Sequence, residues 1–274
     1  MEFLFRSADG TRLVARSWDS PSVRAVVLVV HGFGEYGAKY VPLASELNKH
    51  NVAVCAMDLR GFGMSEGRRG HAGALGKLVE DVQAFVRAAG ACYEAPLFLM
   101  GHSMGAIPVA HAAAQGSSSA GVILSSPWIA LRYRPVLPVR GLLALGGVLC
   151  PGVRVRFDVQ RVETGKKTAV LAAYADKWVH RKISAGLYRS LRRGAAALLR
   201  GTVVPSCAIL GLHGGQDRLT DPEASRDYVL QAGGRFRFFS EGGHTLHRGA
   251  FRKEFCHEIV TWMDDILESG GQFG

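Results

Sequence analysis

Apolar positions along the chain arrive in short, closely spaced blocks. EFLFR and TRLVARSW flank Ala8-Asp9-Gly10, whose turn chemistry predicts a hairpin over the first eighteen residues or so. Uninterrupted apolar runs follow at Ala25–Val30, Val52–Met57, Leu97–Met100 and Val122–Leu124, each leading into a turn: HGFG, DLRGFG, GHSMG and SSPW. Two more come late in the chain, Cys207–Leu212 before HGGQD and Phe236–Phe239 before SEGGH. Strands apolar on both faces, alternating with helix-like stretches, predict an α/β protein with a mostly parallel, eight-stranded sheet and helices on both faces. In such sheets reactive groups collect on the loops at the carboxyl ends of the strands.

The rhythm breaks between Trp128 and Arg200. No clear strand stands there, but VLPVRGLLALGGVL and HRKISAGLYRSLRRGAAALLR have helical texture. The chain therefore divides into a first core part, 1–127, a helical cap insertion, 128–200, and a second core part, 201–274. Charge follows the same division. The formal net charge is +10, and the segment Trp128–Arg200 holds fifteen Lys and Arg against Asp158, Glu163 and Asp176. All of the positive excess thus belongs to the cap.

Composition narrows the setting. With 274 residues, 48% of them hydrophobic, one domain with an insertion is the natural size and a sizeable core is available. Arg6 and Asp9 interrupt the first apolar residues, so no signal peptide is expected, and Val136–Val153, carrying Arg140 and two prolines, is too short and too broken to span a bilayer. Five scattered cysteines without a CxxC pair point to reduced thiols in a cytoplasmic protein. The basic charge comes with no nucleic-acid-binding motif and no aromatic interleaving, so a nucleic-acid partner is not expected.

G-x-S-x-G occurs twice, as Gly101–Gly105 around Ser103 and as Gly63–Gly67 around Ser65. Only Ser103 follows an apolar strand, PLFLM, and enters a helical run, AIPVAHAAA, which is the strand–turn–helix context of a nucleophile elbow. That turn directs the Met104 amide at a developing oxyanion, and a second amide is expected from the HGFG loop, at Phe33. A serine nucleophile needs a base and the base an orienting carboxylate. His244 in SEGGHTLHR and Asp217 in HGGQDRLTDP supply them in the chain order Ser, Asp, His. Asp221, the rival of Asp217, precedes Pro222 and reads as a helix N-cap. His247 is the rival of His244, three residues further on. Pro108 is expected to interrupt the helix behind the elbow. The chemistry is acyl transfer to water, with no metal and no organic cofactor.

Taken together, these motifs resemble the monoacylglycerol lipase and lysophospholipase branch of the α/β-hydrolases. HGFGEYGAKY is similar to that family's HGxGEHxxRY segment, DLRGFGMSEG to its D-x-R-G-x-G-x-S-x-G loop, and DKWVHRKISAGLY to a cap segment of bacterial members. GHSMGA, QDRLTDPEAS and GGHTLHR resemble its elbow, acid and histidine segments. The resemblance implies the α/β-hydrolase fold, Ser103, Asp217 and His244 as triad, Phe33 and Met104 as oxyanion donors, and a polar head-group pocket at Glu35, Lys39 and His247. Lys39 stands where family members usually carry arginine, which loses the planar fork. The implied activity is hydrolysis of monoacylglycerols, with lysophospholipids or simple carboxylic esters as the alternative substrates. A non-catalytic lipid-binding protein on the same scaffold is the competing class. The apolar run Leu137–Leu149 beside the cap arginines suits peripheral docking on an anionic membrane; the alternative is an apolar face packed on the sheet with solvated arginines.

Overall fold

The computed structural model describes residues 1–133, 141, 143, 146–157, 159–164 and 175–269. The strands are β1 (Glu2–Arg6), β2 (Arg12–Trp18), β3 (Ala25–Val30), β4 (Val52–Met57), β5 (Leu97–His102), β6 (Gly121–Ser125), β7 (Arg154–Arg156), β8 (Lys182–Ser184), β9 (Ala208–Gly214) and β10 (Arg235–Phe239). Eight of them form one sheet in the order β1-β2-β4-β3-β5-β6-β9-β10. The hairpin β1–β2 and the β2–β4 pairing are antiparallel; every pairing from β4 to β10 is parallel. This is the α/β-hydrolase fold that the apolar runs and motifs predicted.

Why the sheet is a core is visible in β3 and β4, whose six residues each are all buried. Successive side chains point to opposite faces. Val26, Leu28 and Val30 enter one apolar cluster, while Ala25, Val27 and Val29 enter the other. The first cluster is covered by α2 (Leu75–Gly90) and α3 (Ala106–Ala114), the second by α1 (Val41–Leu47). Leu78, Val82, Phe85 and Ala89 of α2 recur at three- and four-residue spacing, the stripe that an amphipathic helix buries. Each fully buried Leu, Val or Phe contributes about 1.5–3 kcal/mol. Pro108 does not interrupt α3. It is the third residue of that helix, in the first turn, where a proline is tolerated.

Between β6 and β9 stands the segment expected to form the cap. It contains α4 (Val159–Thr164) and α5 (Ala185–Leu199), the latter capped by Ser184 Oγ accepting from the Leu187 amide at 3.2 Å. It also holds the antiparallel pair β7–β8, which the reading of this segment as strandless missed. The core resumes with β9, α6 (Pro222–Gln231), β10 and α7 (Arg252–Glu268), whose apolar side joins the α1 cluster. Most of the run Leu137–Leu149, expected to suit membrane docking, lies outside the described residues. No described helix is long and apolar enough to cross a membrane. All five cysteines are free.

Candidate active site

β5 ends at His102, and the chain turns at once into a helical run that begins at Ser103. Ser103 has φ 51°, a left-handed conformation uncommon for a residue with a side chain. The turn is possible because its neighbours lack a Cβ. One added at Gly105 would lie 2.3 Å from the Val30 carbonyl oxygen, and one at Gly101 would lie 2.5 Å from Ala106 Cα. Met104 is the second residue of the helical run, where backbone amides have no intrahelical acceptor.

The loop after β3 faces this turn. His31 Nε2 accepts from the Leu59 amide at 3.0 Å, and Glu35 Oε2 accepts from the Gly32 amide at 3.2 Å and from Tyr40 Oη at 3.0 Å. Phe33, between these two anchors, is buried and meets the Phe62 and Phe157 rings edge-on.

Asp217 and His244 come from the loops after β9 and β10. His244 Nδ1 lies 2.7 Å from Asp217 Oδ2. A carboxylate only accepts, so Nδ1 carries the proton and Nε2 is left as the basic nitrogen. Asp217 is itself fixed: Oδ1 accepts from the Leu219 amide (2.7 Å) and the Thr220 amide (3.1 Å), and Oδ2 from Thr220 Oγ1 (2.7 Å). Burial alone would raise the Asp217 pKa, but the charge and hydrogen bond of His244 carry it well below the usual carboxylate range. Burial likewise opposes protonation of His244, and the Asp217 carboxylate outweighs it, so its pKa lies above the ordinary imidazole value. Asp221, the rival carboxylate, is the N-cap of α6 and accepts from the Glu223 amide at 3.1 Å.

Ser103, His244, Phe33 and Glu35 line a single cavity of about 20 Å³, roofed by Val159 and Glu163 of α4. Glu163 accepts a hydrogen bond from Thr245 Oγ1, beside His244. A space of that size holds about one water molecule.

The three expected head-group residues stand differently around the cavity. Of Glu35, Lys39 and His247, only Glu35 reaches the cavity. His247 is buried, stacked on Tyr40 (centroids 4.6 Å apart) and edge-on to His102 (4.7 Å). Lys39 is drawn to the cap, its Nζ 3.5 Å from Asp176. Instead Glu35 Oε1 receives the Arg248 guanidinium at 2.5 Å, a partner that the sequence reading missed. Burial would raise the Glu35 pKa; the Arg248 charge, together with the smaller effects of His102, His247 and His31, outweighs this and holds it well below the usual range. Glu35, His102 and His247 offer ligand atoms within 4.8 Å of one another, a spacing open to a metal ion. The Arg248 guanidinium already compensates Glu35, the one anionic donor of the three, and adds a positive charge beside the set, so it does not suit a cation.

Ser65, the other motif serine, is fully buried. Its Oγ donates to the Asp58 carbonyl at 2.6 Å and accepts from the Val14 amide at 2.9 Å.

A strained serine at a strand–helix turn, facing a buried histidine–carboxylate pair on this sheet, defines the class of α/β-hydrolases. The chain belongs to the Hydrolase_4 family, described as serine aminopeptidase, S33, whose profile it matches over residues 21–260. It is 29% identical over 272 residues to a monoacylglycerol lipase of Mycolicibacterium smegmatis, covering 96% of each chain. It is 28% identical over 276 residues to an uncharacterized abhydrolase domain-containing protein of Dictyostelium discoideum, spanning 96% of this chain but 29% of that protein's length. Among solved structures, the monoacylglycerol lipase of Paleococcus ferrophilus superposes with a TM-score of 0.79 at 26% identity, covering 93% of this chain and 99% of that one. The chain is accordingly a carboxylic ester hydrolase.

Proposed function

We propose that this enzyme hydrolyses monoacylglycerols to fatty acid and glycerol through an acyl-enzyme on Ser103. The single observation that carries the reading is the buried His244–Asp217 pair at 2.7 Å, sharing one cavity with Ser103. His244 Nε2 takes the hydroxyl proton as Ser103 Oγ bonds to the ester carbonyl carbon. The oxyanion that forms is held by the amides of Phe33 and Met104, each such donor being worth about 3–4 kcal/mol of barrier. Collapse breaks the ester C–O bond, His244 returns the proton to the departing glycerol oxygen, and water repeats the sequence on the acyl-enzyme. The similarity to monoacylglycerol lipases over nearly the whole chain supports the substrate class. Glu35 is one of the polar groups, with Glu163 and Thr245, that a glycerol hydroxyl would meet in the cavity. A cavity of about 20 Å³ is too small for such an ester, so its lining must open for substrate to enter.

The test is a hydrolysis panel with the purified protein: monoacylglycerols, diacylglycerol, lysophosphatidylcholine and p-nitrophenyl esters of several lengths. Preference for monoacylglycerol supports the reading. Preference for lysophosphatidylcholine, or activity on short esters only, overturns the substrate class and leaves the chemistry standing.

A further inference from the structure

Behind the His244–Asp217 pair stands a second histidine for which the hydrolytic mechanism has no use. His213, on β9, and Thr220, just before α6, are both buried. Thr220 Oγ1 lies 2.7 Å from Asp217 Oδ2, 3.2 Å from His213 Nε2 and 3.3 Å from the Ser126 carbonyl oxygen. On the far side of the ring, His213 Nδ1 is 3.1 Å from the Gly214 carbonyl oxygen. A carbonyl only accepts, so Nδ1 carries the ring proton and the neutral ring turns a lone pair toward Thr220.

The row from the Gly214 carbonyl to Asp217 Oδ2 holds three contacts of hydrogen-bond length between two ends that only accept. Filling all three takes three protons, and a neutral histidine and a hydroxyl bring only two between them. A further proton would make His213 an imidazolium. Burial opposes this and outweighs the Asp217 charge 3.8 Å away, lowering the His213 pKa to about 4. The hydroxyl therefore has one proton for several acceptors, and the charged acceptor, which is also the nearest, takes it. His213 Nε2 then goes without a donor, an arrangement that costs stability.

Asp217 Oδ2 is also the oxygen that accepts from His244 Nδ1. The amides of Leu219 and Thr220 already hold Oδ1, so the hydroxyl acts on the oxygen that faces the base. A donor there draws off charge that would otherwise stabilise protonated His244. The Thr220 backbone is bridged to Leu131, which fixes its place independently of the hydroxyl.

We propose that Thr220 is a positioning residue of the triad, its hydroxyl proton left to Asp217 by the neutral ring of His213, and that it acts through Asp217 Oδ2 to align His244 and limit its basicity. The proposal rests on the acyl-enzyme reading and deepens it. Its test is the kcat/KM profile for p-nitrophenyl butyrate from pH 5 to pH 9 in the parent, T220V and T220S. T220V keeps the amide on Oδ1 and loses the proton on Oδ2. It should lower the plateau by about tenfold, as small misplacement of a reacting group does. Its acid midpoint should move up by about 0.5 in pH, part of what a hydrogen bond to a charged group is worth. T220S keeps the proton and should bring the midpoint back to the parent's. The titratable groups around His244 are Asp217, His213, Glu163, Glu35, His102 and His247, and they are the same in all three proteins. Two results overturn the proposal: a uniform loss in T220V at the parent's midpoint, the mark of a merely structural residue, or the same shift in T220S as in T220V. Should T220V fail to fold in a thermal melt, T220A removes the same proton and is read in the same way. Full turnover in Ser103→Ala would strike down the triad reading itself; with Ser103→Ala silent, an unmoved midpoint strikes down this proposal alone.

Discussion

The same pentapeptide pattern, G-x-S-x-G, is used twice in this chain for opposite ends. Around Ser103 the backbone is strained, at φ 51°, and the side chain opens onto a cavity shared with His244. Around Ser65 the side chain is buried, and both capacities of its hydroxyl are spent on backbone, one on Asp58 and one on Val14. Each serine has a carboxylate nearby, and the two carboxylates differ in the same way. Asp217 holds a histidine; Asp58 holds a loop, accepting from the Gly37 amide (2.6 Å), the Met64 amide (2.8 Å) and Arg16 Nη1 (3.1 Å). Reactivity thus comes from what the fold leaves unsatisfied beside the serine, and the glycines only make the turn.

Removing the two hydroxyls is the sharpest way to separate these uses. Ser103→Ala should lower kcat by about 10⁶-fold, the scale for loss of a triad nucleophile, with little change in stability. Ser65→Ala should leave kcat near the parent value and cost about 1–3 kcal/mol, because the Val14 amide loses its acceptor in a buried site. Ester hydrolysis and urea midpoints measured on both proteins check this. Full turnover in Ser103→Ala would end the comparison.

The carboxylates should diverge next. Asp217→Asn keeps the shape but no longer holds the Nδ1–H tautomer, with an expected loss of about 10⁴-fold in kcat. Asp58→Asn removes a buried partner of Arg16 and should cost about 3–5 kcal/mol of stability. The surviving folded fraction should keep its activity, read as kcat per active site titrated with a fluorophosphonate.

How far these differences could be read from sequence depends on the range of the interaction. β3, β4 and the other sheet strands are legible because burial on both faces makes them apolar throughout. Asp221 is legible as a cap because its signal, Pro222, is adjacent. The β7–β8 pair is not: each strand has three residues, in β7 a single inward Val155 between two arginines, too short to establish a period. The Arg248–Glu35 pair is silent in sequence because its members lie 213 positions apart. The place of His247, stacked on Tyr40, is silent in sequence for the same reason. The Tyr40 ring beneath it comes from the other end of the chain.

Acidity probes the same contrast more gently. In the proposed mechanism His244 must be neutral to accept the Ser103 proton, and its pKa is raised by Asp217 against the effect of burial. Activity should therefore fall as pH drops through a midpoint above the ordinary imidazole value of about 6.5. Stability moves the other way. Protonation of a group whose folded pKa is raised favours the fold, so this contribution is fully present below about 6.5 and fades as pH rises through the folded value. A kcat/KM profile alongside thermal melts from pH 5 to pH 9 should show the two trends opposed, and Asp217→Asn should abolish the stability trend.

The smallest effect concerns the guanidinium that braces each loop. Arg16 braces Asp58 and the Ser65 loop; Arg248 braces Glu35, which accepts from the Gly32 amide next to Phe33. Arg248→Gln should relax the loop that carries the Phe33 amide and lower kcat by about tenfold, the kind of loss that small misplacement of a reacting group produces. Arg16→Gln acts on the other loop and should leave kcat unchanged. The Glu35 pKa is lowered by Arg248, so this pair contributes stability above about pH 4.3, lost as pH falls through the folded pKa. In Arg248→Gln that acid limb should shift upward in pH. If kcat falls equally in both arginine variants, the Glu35–Arg248 brace has no particular hold on the Phe33 loop, and the distinction between the two serine loops rests on the hydroxyls and carboxylates alone.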